Sequence, residues 1–275
     1  MLAEISQRSG PAEGTRPTGG FLSARWLGVA LAVSFVGCAT LSSPPAPVAK
    51  DPLPAFSEGT RVLFQGDSIT DGNRGRNTDP NHILGHGYQA LISSRYGADL
   101  PDRHLLFMNR GISGNRVANL ARRWQTDTIE LKPDLLSILI GVNDLGSGVT
   151  AAQFEEQYDQ LLADTLKALP NVRLVLCEPF GLPVGAKKAN WEKYRADLAA
   201  RIAIVGKLGE KYHAPVVHFQ KLFEEAVARA PADYWIWDGV HPTYAGHQLM
   251  ADEWVHTVGT LAAKSSATAA ANGKP

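Results

Sequence analysis

Short apolar segments alternate with longer amphipathic segments through most of this sequence, and this alternation constrains the fold more than any other feature. Five segments of strand length carry few charges: 61–65, 104–108, 135–140, 172–177 and 215–219. Nearly continuous apolar segments of this length are typical of parallel strands that are buried on both faces. The intervening segments have helical periodicity, so the chain predicts a doubly wound parallel sheet with helices on both faces.

Two of the intervening segments predict helices most clearly. Apolar residues recur at helical spacing over 154–169, and Thr150 with Gln153 forms the capping-box pattern of a helix N-terminus. A second pattern covers 191–208, before the last predicted strand. In sheets of this kind the active site lies beyond the carboxyl ends of the strands. Residues that directly follow the predicted strands are therefore the first candidates for chemistry.

Composition divides the chain into four regions. Residues 1–38 have a polar leader followed by about a dozen apolar residues, a signal-peptide pattern that is too short to span a membrane. The proline-rich residues 39–57 predict an extended linker, residues 58–262 a single folded domain, and residues 263–275 a flexible tail. A chain of 275 residues is long enough for one core domain with such appendages.

Cys38 ends the apolar part of the predicted signal peptide. The sequence before it, Phe-Val-Gly, resembles a bacterial lipoprotein box, although leucine is commoner than phenylalanine at the first position. The resemblance implies lipidation of Cys38 and a membrane-anchored location in the cell envelope; cleavage with secretion, or a signal anchor, is the alternative. The leader before Arg25 is long for a signal peptide, which suggests a start codon further along the chain.

The charge balance and the few cysteines exclude several classes of partner. The 27 basic and 27 acidic side chains cancel, so no overall field attracts nucleic acid, an anionic membrane surface or a polyanionic substrate. Cys38 and Cys177 lie in different contexts and predict neither a disulfide framework nor a metal cluster. His82 and His86 lack the glutamate of a zinc-hydrolase motif and are assigned to a loop over the site. Chemistry by oxygen and imidazole groups is therefore expected.

Ser68 directly follows the first predicted strand and Asp67. Taken alone, this sequence is an ordinary turn with a helix N-cap. Near the other end of the chain, however, Asp238 and His241 lie three residues apart, so one loop can present both side chains. A serine hydroxyl needs a base to remove its proton, imidazole suits that role, and a carboxylate can orient the imidazole.

Two further loops after predicted strands offer hydrogen-bond donors for a tetrahedral oxyanion. Segment 109–115 contains Gly111 and Gly114, and segment 141–144 contains Asn143. A glycine lets a backbone N–H approach a substrate closely, and the Asn143 amide supplies a side-chain donor. The alternative is that these residues only form turns.

These four sequences together, in this order, resemble the four motifs of the SGNH (GDSL-like) hydrolase family. The motifs are Gly66-Asp67-Ser68, the glycine within 109–115, Gly141-Val142-Asn143-Asp144, and Asp238-Gly239-Val240-His241-Pro242. The resemblance implies a three-layer α/β/α fold with a five-stranded parallel sheet of flavodoxin-like type. It also implies a serine esterase without a cofactor, in which Ser68 is the nucleophile and Asp238 and His241 are its charge partners.

The same resemblance implies an oxyanion hole formed by the Ser68 N–H, the Gly114 N–H and the Asn143 side chain. Gly114 is preferred to Gly111 because its distance from Asn109 matches the family spacing better. Gly111 is then assigned to the turn.

The substrate is less constrained. The family includes carbohydrate acetylesterases, lysophospholipases, thioesterases and arylesterases, and the polar loop at 70–88 resembles the acetylesterases. Asp67, Trp235 and Trp237 are candidate substrate-binding residues, because polar groups beside aromatic faces suit a sugar ring; the alternative places the tryptophans in the core. We therefore expect hydrolysis of short-chain esters, with deacetylation of a glycan preferred. A lipase, lysophospholipase or arylesterase of the same family, or a catalytically silent glycan-binding protein of the envelope, is the alternative.

Overall fold

The computed structural model describes residues 56–272, with side chains described through residue 259. The strands are β1 (Arg61–Gly66), β2 (Leu106–Asn109), β3 (Leu135–Leu139), β4 (Arg173–Cys177) and β5 (Val216–Val217). The helices are α1 (Ser68–Asp71), α2 (Tyr88–Asp99), α3 (Val117–Trp124), α4 (Ala151–Ala168), α5 (Trp191–Lys211), α6 (Phe219–Ala226), α7 (Ala232–Trp235) and α8 (Tyr244–Asn272). The predicted signal peptide, Cys38 and residues 39–55 of the predicted linker lie outside the described residues.

The five strands form one parallel sheet in the order β2-β1-β3-β4-β5. The register pairs Phe64 of β1 with Asn109 of β2 on one side and with Ser137 of β3 on the other. The strand order reverses between β1 and β3, and such a switch point is where ligands bind in open parallel sheets. The predicted three-layer α/β/α fold of flavodoxin-like type is confirmed.

Alternate residues of the strands pack into two separate cores, because successive side chains of a strand point to opposite faces. Val62 and Phe64 contact the core under α2, α6 and α8, whereas Leu63 contacts the core under α3, α4 and α5. The two helical layers therefore cover both faces of the sheet. Trp254 of α8, which is fully buried, packs against Phe64 with its ring centroid 5.4 Å away.

The N-terminus of α4 has the predicted capping box. The Gln153 N–H donates to the Thr150 hydroxyl at 3.2 Å, and the Thr150 N–H donates to the Gln153 side-chain oxygen at 2.9 Å. Two N–H groups that the helix leaves without partners are thus satisfied by side chains. The helix begins where the sequence predicts it.

Three strands lie within one residue of their predicted bounds, and the other two differ by two residues at one end. The prediction started the second strand at His104, but this residue has a φ of 49° and ends a short 3-10 turn over Pro101–Arg103, so the strand begins at Leu106. The fifth strand was predicted over 215–219 but covers only Val216–Val217, since Phe219 already begins α6. Apolar content alone cannot separate a strand from the first turn of a buried helix.

Structure extends past both predicted ends of the folded domain. Phe56, inside the predicted linker, is buried against Tyr96 with ring centroids 5.1 Å apart, so the core includes residues before the predicted boundary. The backbone of α8 continues to Asn272, through most of the residues that the sequence assigns to a flexible tail. Its many alanines have the highest helix propensity of all residues, which explains a helix without apolar periodicity. Within residues 56–272, no helix is both long and apolar enough to cross a membrane.

Candidate active site

Ser68 is presented by a tight turn between β1 and α1. The Asp67 carboxylate caps α1 by accepting a hydrogen bond from the Ile69 N–H at 3.0 Å. A Cβ at Gly66 would lie 2.3 Å from the Leu139 carbonyl oxygen and 2.5 Å from the Thr70 hydroxyl, so only glycine fits there. The turn therefore begins directly at the end of β1 and places Ser68 at the carboxyl end of the sheet.

Asp238 and His241 lie on a short loop that its own backbone holds closed. Ile236 and Pro242 form an isolated antiparallel bridge, and the Trp237 N–H donates to the His241 carbonyl oxygen at 3.1 Å. The N–H groups of Val240 and His241 donate to one oxygen of the Asp238 carboxylate at 2.9 and 2.8 Å. Asp238 and His241 are three residues apart in the sequence, and this conformation places both side chains on the same side of the loop.

The two distant segments meet through their side chains. The second Asp238 carboxylate oxygen lies 2.7 Å from His241 Nδ1, and His241 Nε2 lies 2.8 Å from the Ser68 hydroxyl oxygen. A carboxylate is only an acceptor, so it assigns the ring proton to Nδ1 and leaves Nε2 free to accept the serine proton. The three groups form one hydrogen-bonded chain in the predicted order.

The Asp238 carboxylate stays ionised in this arrangement. Burial alone raises its pKa, but the hydrogen bonds from the His241 backbone, the His241 ring and the Val240 N–H together bring the pKa below its ordinary value. An ionised carboxylate at this position can hold the imidazole in one tautomer and stabilise the imidazolium that forms during acyl transfer.

The predicted oxyanion donors lie on the loops after β2 and β3. The Gly111 N–H is already used, because it donates to the Asn109 side-chain oxygen at 2.9 Å. Gly114 has a φ of 79°, and its N–H has no acceptor among the described residues. The Asn143 amide donates one hydrogen bond to the Asn115 carbonyl oxygen at 3.1 Å, which orients the amide and leaves its second N–H free. The geometry thus favours Gly114 over Gly111 as a donor.

The three candidate substrate-binding residues differ sharply in exposure. Asp67 and Trp235 are buried, with exposed fractions of 1% and 7%, and the Trp235 indole donates to the Ala230 carbonyl oxygen at 3.2 Å. These two side chains therefore present little surface to a substrate, and their contact with one stays a prediction. Trp237 is 64% exposed, and its ring is stacked beside the His241 imidazole with centroids 6.4 Å apart and planes inclined by 28°.

Asp67 instead contributes a buried carboxyl group directly behind the nucleophile. Burial raises its pKa to about 7, although the hydrogen bond from the Ile69 N–H and the electrostatic interaction with His241 oppose the rise. Its second oxygen has no hydrogen-bond partner among the described residues. A carboxyl group in such a setting is neutral over much of the acidic range.

Several polar side chains that fix the donor loop gave no signal in the sequence analysis. The Asn109 amide donates to the carbonyl oxygens of Thr70, at 2.7 Å, and Leu84, at 2.8 Å, and so joins β2 to the chain after Ser68. The Asp71 carboxylate accepts hydrogen bonds from both the N–H and the hydroxyl of Ser113, each at 3.0 Å. Such residues look like solvated turn residues in a sequence, and only their long-range contacts reveal this role.

The loop after β4 contacts the Asp238 loop, and the sequence alone gives no sign of this contact. The Leu182 N–H donates to the Gly239 carbonyl oxygen at 3.1 Å. Gly239 has a φ of 97°, and a Cβ there would lie 2.6 Å from Lys187 Cγ. Tyr194 packs against Gly181 beside this contact, and Lys187 lies over the Tyr194 ring at 4.4 Å.

Comparisons with known proteins identify this arrangement. The profile of the GDSL-like lipase/acylhydrolase family matches residues 64–249. An acetylxylan esterase from Geobacillus stearothermophilus is 31% identical over 214 residues, which cover 74% of this chain and 96% of that enzyme. A Parabacteroides merdae protein of known structure, assigned to the GDSL-like lipases, is 39% identical with a TM-score of 0.71, covering 76% of this chain and 99% of its own.

Solved structures of the acetylxylan esterase match as well. One of them, described as a catalytic mutant with an aspartate replaced by alanine, has a TM-score of 0.67 at 30% identity and covers 74% of this chain and 96% of its own. Another is described as a catalytic mutant with a serine replaced by alanine.

Fold and relatives together define an enzyme of the carboxylic ester hydrolase class. The chain belongs to the GDSL-like lipase/acylhydrolase family, also known as the SGNH hydrolases.

Proposed function

We propose that this esterase removes acetyl groups from a carbohydrate through a serine nucleophile. The observation that carries the mechanism is the hydrogen-bonded chain from Asp238 through His241 to Ser68, with links of 2.7 and 2.8 Å. This order of carboxylate, imidazole and hydroxyl is the one that nucleophilic acyl transfer needs. The relatives described as catalytic mutants at a serine and an aspartate support the same roles.

The first half-reaction transfers the acyl group to the enzyme. The Ser68 oxygen attacks the ester carbonyl carbon while its proton moves to His241 Nε2, and the carbonyl oxygen becomes an oxyanion. The N–H groups of Ser68 and Gly114 and the Asn143 amide donate hydrogen bonds to that oxyanion. When the carbon–oxygen bond of the ester breaks, the leaving alcohol takes the proton from His241.

The second half-reaction releases the acid. A water molecule gives a proton to His241 as its oxygen attacks the acyl carbon, and collapse of the new oxyanion returns the proton to the Ser68 oxygen. Asp238 holds the imidazole in the required tautomer and stabilises its charged form throughout. The residues of this chain supply every proton transfer, so the proposed mechanism requires no cofactor.

The exposed aromatic ring beside the imidazole supports a sugar as the leaving group. Trp237 is stacked next to His241 and is mostly solvent-exposed, and Tyr244, 80% exposed, follows on the first turn of α8. A flat ring beside the reacting bond suits the apolar face of a sugar. The similarity to an acetylxylan esterase supports acetyl groups on xylan as the first substrate to test.

The test compares acetate release from acetylated xylo-oligosaccharides with turnover of p-nitrophenyl acetate and p-nitrophenyl palmitate. We expect release from the oligosaccharides and faster hydrolysis of the acetate than of the palmitate. Faster hydrolysis of the palmitate would assign the enzyme to the lipases instead, and absence of all turnover by the folded protein would assign it to silent glycan-binding proteins.

We also propose that the enzyme is exported and anchored in the cell envelope through Cys38. The proposal depends on the lipoprotein-like sequence alone. Mass spectrometry of the mature N-terminus tests it, with a lipidated Cys38 as the expected result. Cys38→Ser is the matched variant and should release the enzyme from the membrane fraction, whereas an unmodified N-terminus before residue 38 would contradict the proposal.

A further inference from the structure

Four arginines surround the loop that carries the Gly114 donor. This arginine cluster consists of Arg74, Arg76, Arg110 and Arg123. Only two of the four form ion pairs within the described residues: Arg76 with Asp71 at 2.7 Å and Arg123 with Asp127 at 2.9 Å. The chain as a whole has a formal net charge of zero, so this local excess of two positive charges is not part of a general basic surface.

The guanidinium groups of Arg74 and Arg110 have N–H donors without an acceptor among the described residues. Arg74 donates through Nε to the Gly111 carbonyl oxygen at 2.9 Å, and its two terminal nitrogens have no acceptor among the described residues. The Arg110 side chain has none in the described part of the chain, although its backbone N–H is bound to the Phe64 carbonyl oxygen at 2.9 Å. A guanidinium group carries five N–H donors in a planar fork, so both arginines can still bind an anion.

Arg74 lies beside Arg110 in the fold, because its Nε contacts the carbonyl oxygen of Gly111, the residue that directly follows Arg110. Burial and the positive charges of Arg76 and Arg110 together lower the pKa of this half-buried guanidinium to about 10, against the opposing effects of Asp71 and Asp127. A negatively charged group between Arg74 and Arg110 would relieve this repulsion.

The cluster adjoins the predicted oxyanion donors. Asp71, the partner of Arg76, binds the Ser113 N–H at 3.0 Å, and Arg123 donates to the Asn115 side-chain oxygen at 2.9 Å. Gly114 lies between these two contacts. The cluster therefore contacts the residues on both sides of the predicted donor, so an anionic group on a substrate bound there would lie beside it.

We propose that Arg74 and Arg110 bind the carboxylate of a uronic acid on the acetylated glycan, so that the enzyme prefers acetyl esters on acidic over neutral chains. The proposal rests on the proposed function. A carboxylate matches the fork of a guanidinium group in a bidentate pair. Two arginines without acceptors suit a single carboxylate group. A polyanionic substrate is still disfavoured, because the chain as a whole has no net charge.

The test uses two acetylated xylo-oligosaccharides of equal length and degree of acetylation. One carries a glucuronic acid, and in the other its carboxyl group has been reduced to the alcohol. The readout is the ratio of kcat/KM for the acidic over the neutral substrate, because a general loss of activity cancels in this ratio. We expect a ratio of roughly ten for the natural enzyme, as one hydrogen-bonded charge pair can supply. The ratio should decrease in high salt.

Arg110→Gln should bring the ratio near one, and Arg74→Lys, which keeps the charge but loses the fork, should reduce it partly. Arg122→Gln is the matched control, because Arg122 is an exposed arginine of α3 outside the cluster, and it should leave the ratio unchanged. Equal rates for both glycans in the natural enzyme, or a ratio that survives Arg110→Gln, would overturn the inference and leave the proposed function intact.

Two further outcomes separate the other possibilities. Hydrolysis of p-nitrophenyl acetate without release of acetate from either oligosaccharide would reject the proposed function together with the inference. Faster hydrolysis of lysophosphatidylglycerol than of both oligosaccharides, lost in Arg110→Gln, would assign the cluster to a lipid phosphate and overturn the uronic acid proposal.

Discussion

The Nε2 atom of His241 lies 2.8 Å from the hydroxyl oxygen of Ser68, although 173 positions of sequence separate the two residues. Ser68 is fixed by the end of β1 and His241 by the loop before α8, so the contact depends on the packing of the whole domain. The esterase activity should therefore report the integrity of the fold as well as the identity of these two side chains.

Replacement of the nucleophile gives the first prediction. Ser68→Ala should abolish turnover of p-nitrophenyl acetate and labelling by a fluorophosphonate probe, because no other hydroxyl oxygen lies at His241 Nε2 within the described residues. Ser94→Ala, which removes an exposed hydroxyl group of α2, is the matched control and should retain both. Labelling of Ser68→Ala at a different residue would remove Ser68 from its proposed role.

The second prediction concerns the Asn143 amide. Asn143→Ala should lower kcat by about a hundredfold or more, since losing one oxyanion donor costs about 2.7 to 4 kcal/mol in the activation barrier. KM should change little, because the donor acts on charge that develops in the transition state. Steady-state kinetics with p-nitrophenyl acetate measure both constants, and an unchanged kcat would show that Asn143 only shapes its loop through the hydrogen bond to Asn115.

The buried carboxyl group of Asp67 predicts a specific pH dependence of stability. Its folded pKa is raised by burial to about 7, above the ordinary value of 3.8, so the folded state binds the proton more tightly than the unfolded chain does. Its contribution to stability is complete below pH 3.8 and is lost as the pH rises to about 7. Asp67→Asn retains an oxygen for the Ile69 cap but cannot ionise. The variant should therefore lose less stability than the natural enzyme between pH 4 and pH 8, on the order of a few kcal/mol.

Urea unfolding at a series of pH values measures this difference. Subtracting the two stability curves removes the titration of the other groups, which both proteins share. Parallel curves for Asp67→Asn and the natural enzyme would mean that the Asp67 carboxyl group titrates normally.

Trp237 tests the sugar contact. Trp237→Ala should lower kcat/KM for acetylated xylo-oligosaccharides relative to p-nitrophenyl acetate by roughly three- to tenfold, the contribution of one aromatic stacking contact. Trp237→Phe keeps a flat ring and should recover most of the ratio. If both variants lower the two activities equally, the ring acts only on His241, against which it is stacked.

Much of the fold was accessible from the sequence because its signals are local. The segment that forms β1 is apolar at Val62, Leu63 and Phe64, and Thr150 with Gln153 defines the start of α4, so neither signal depends on distant residues. The extent of the final helix beyond Ala262 could not be predicted, because its alanines favour a helix by intrinsic propensity, without the apolar periodicity that marks the other helices.

The sequence predicts which motifs form the site, but not which of their side chains are buried or which charges are paired. In Tyr234-Trp235-Ile236-Trp237 the two tryptophans look equivalent, yet Trp235 at the end of α7 is buried, whereas Trp237 in the loop that follows is exposed. Likewise, the arginines around Gly114 look like ordinary solvated charges in the sequence. Their pairing is decided by residues such as Asp71 and Asp127, which only the folded chain brings close.

The loop before α8 combines buried residues that fix its shape with exposed residues that face solvent, and this arrangement has an evolutionary consequence. Trp235, Ile236 and Pro242 are buried and hold the loop, and a Cβ at Gly246 would lie 2.3 Å from the Trp235 carbonyl oxygen, so these positions tolerate little change. Tyr234, Trp237 and Tyr244 face solvent on the same short segment. Descendants of such a chain can exchange these outer side chains one at a time without moving the acid and base, so new ester substrates are accessible through single substitutions.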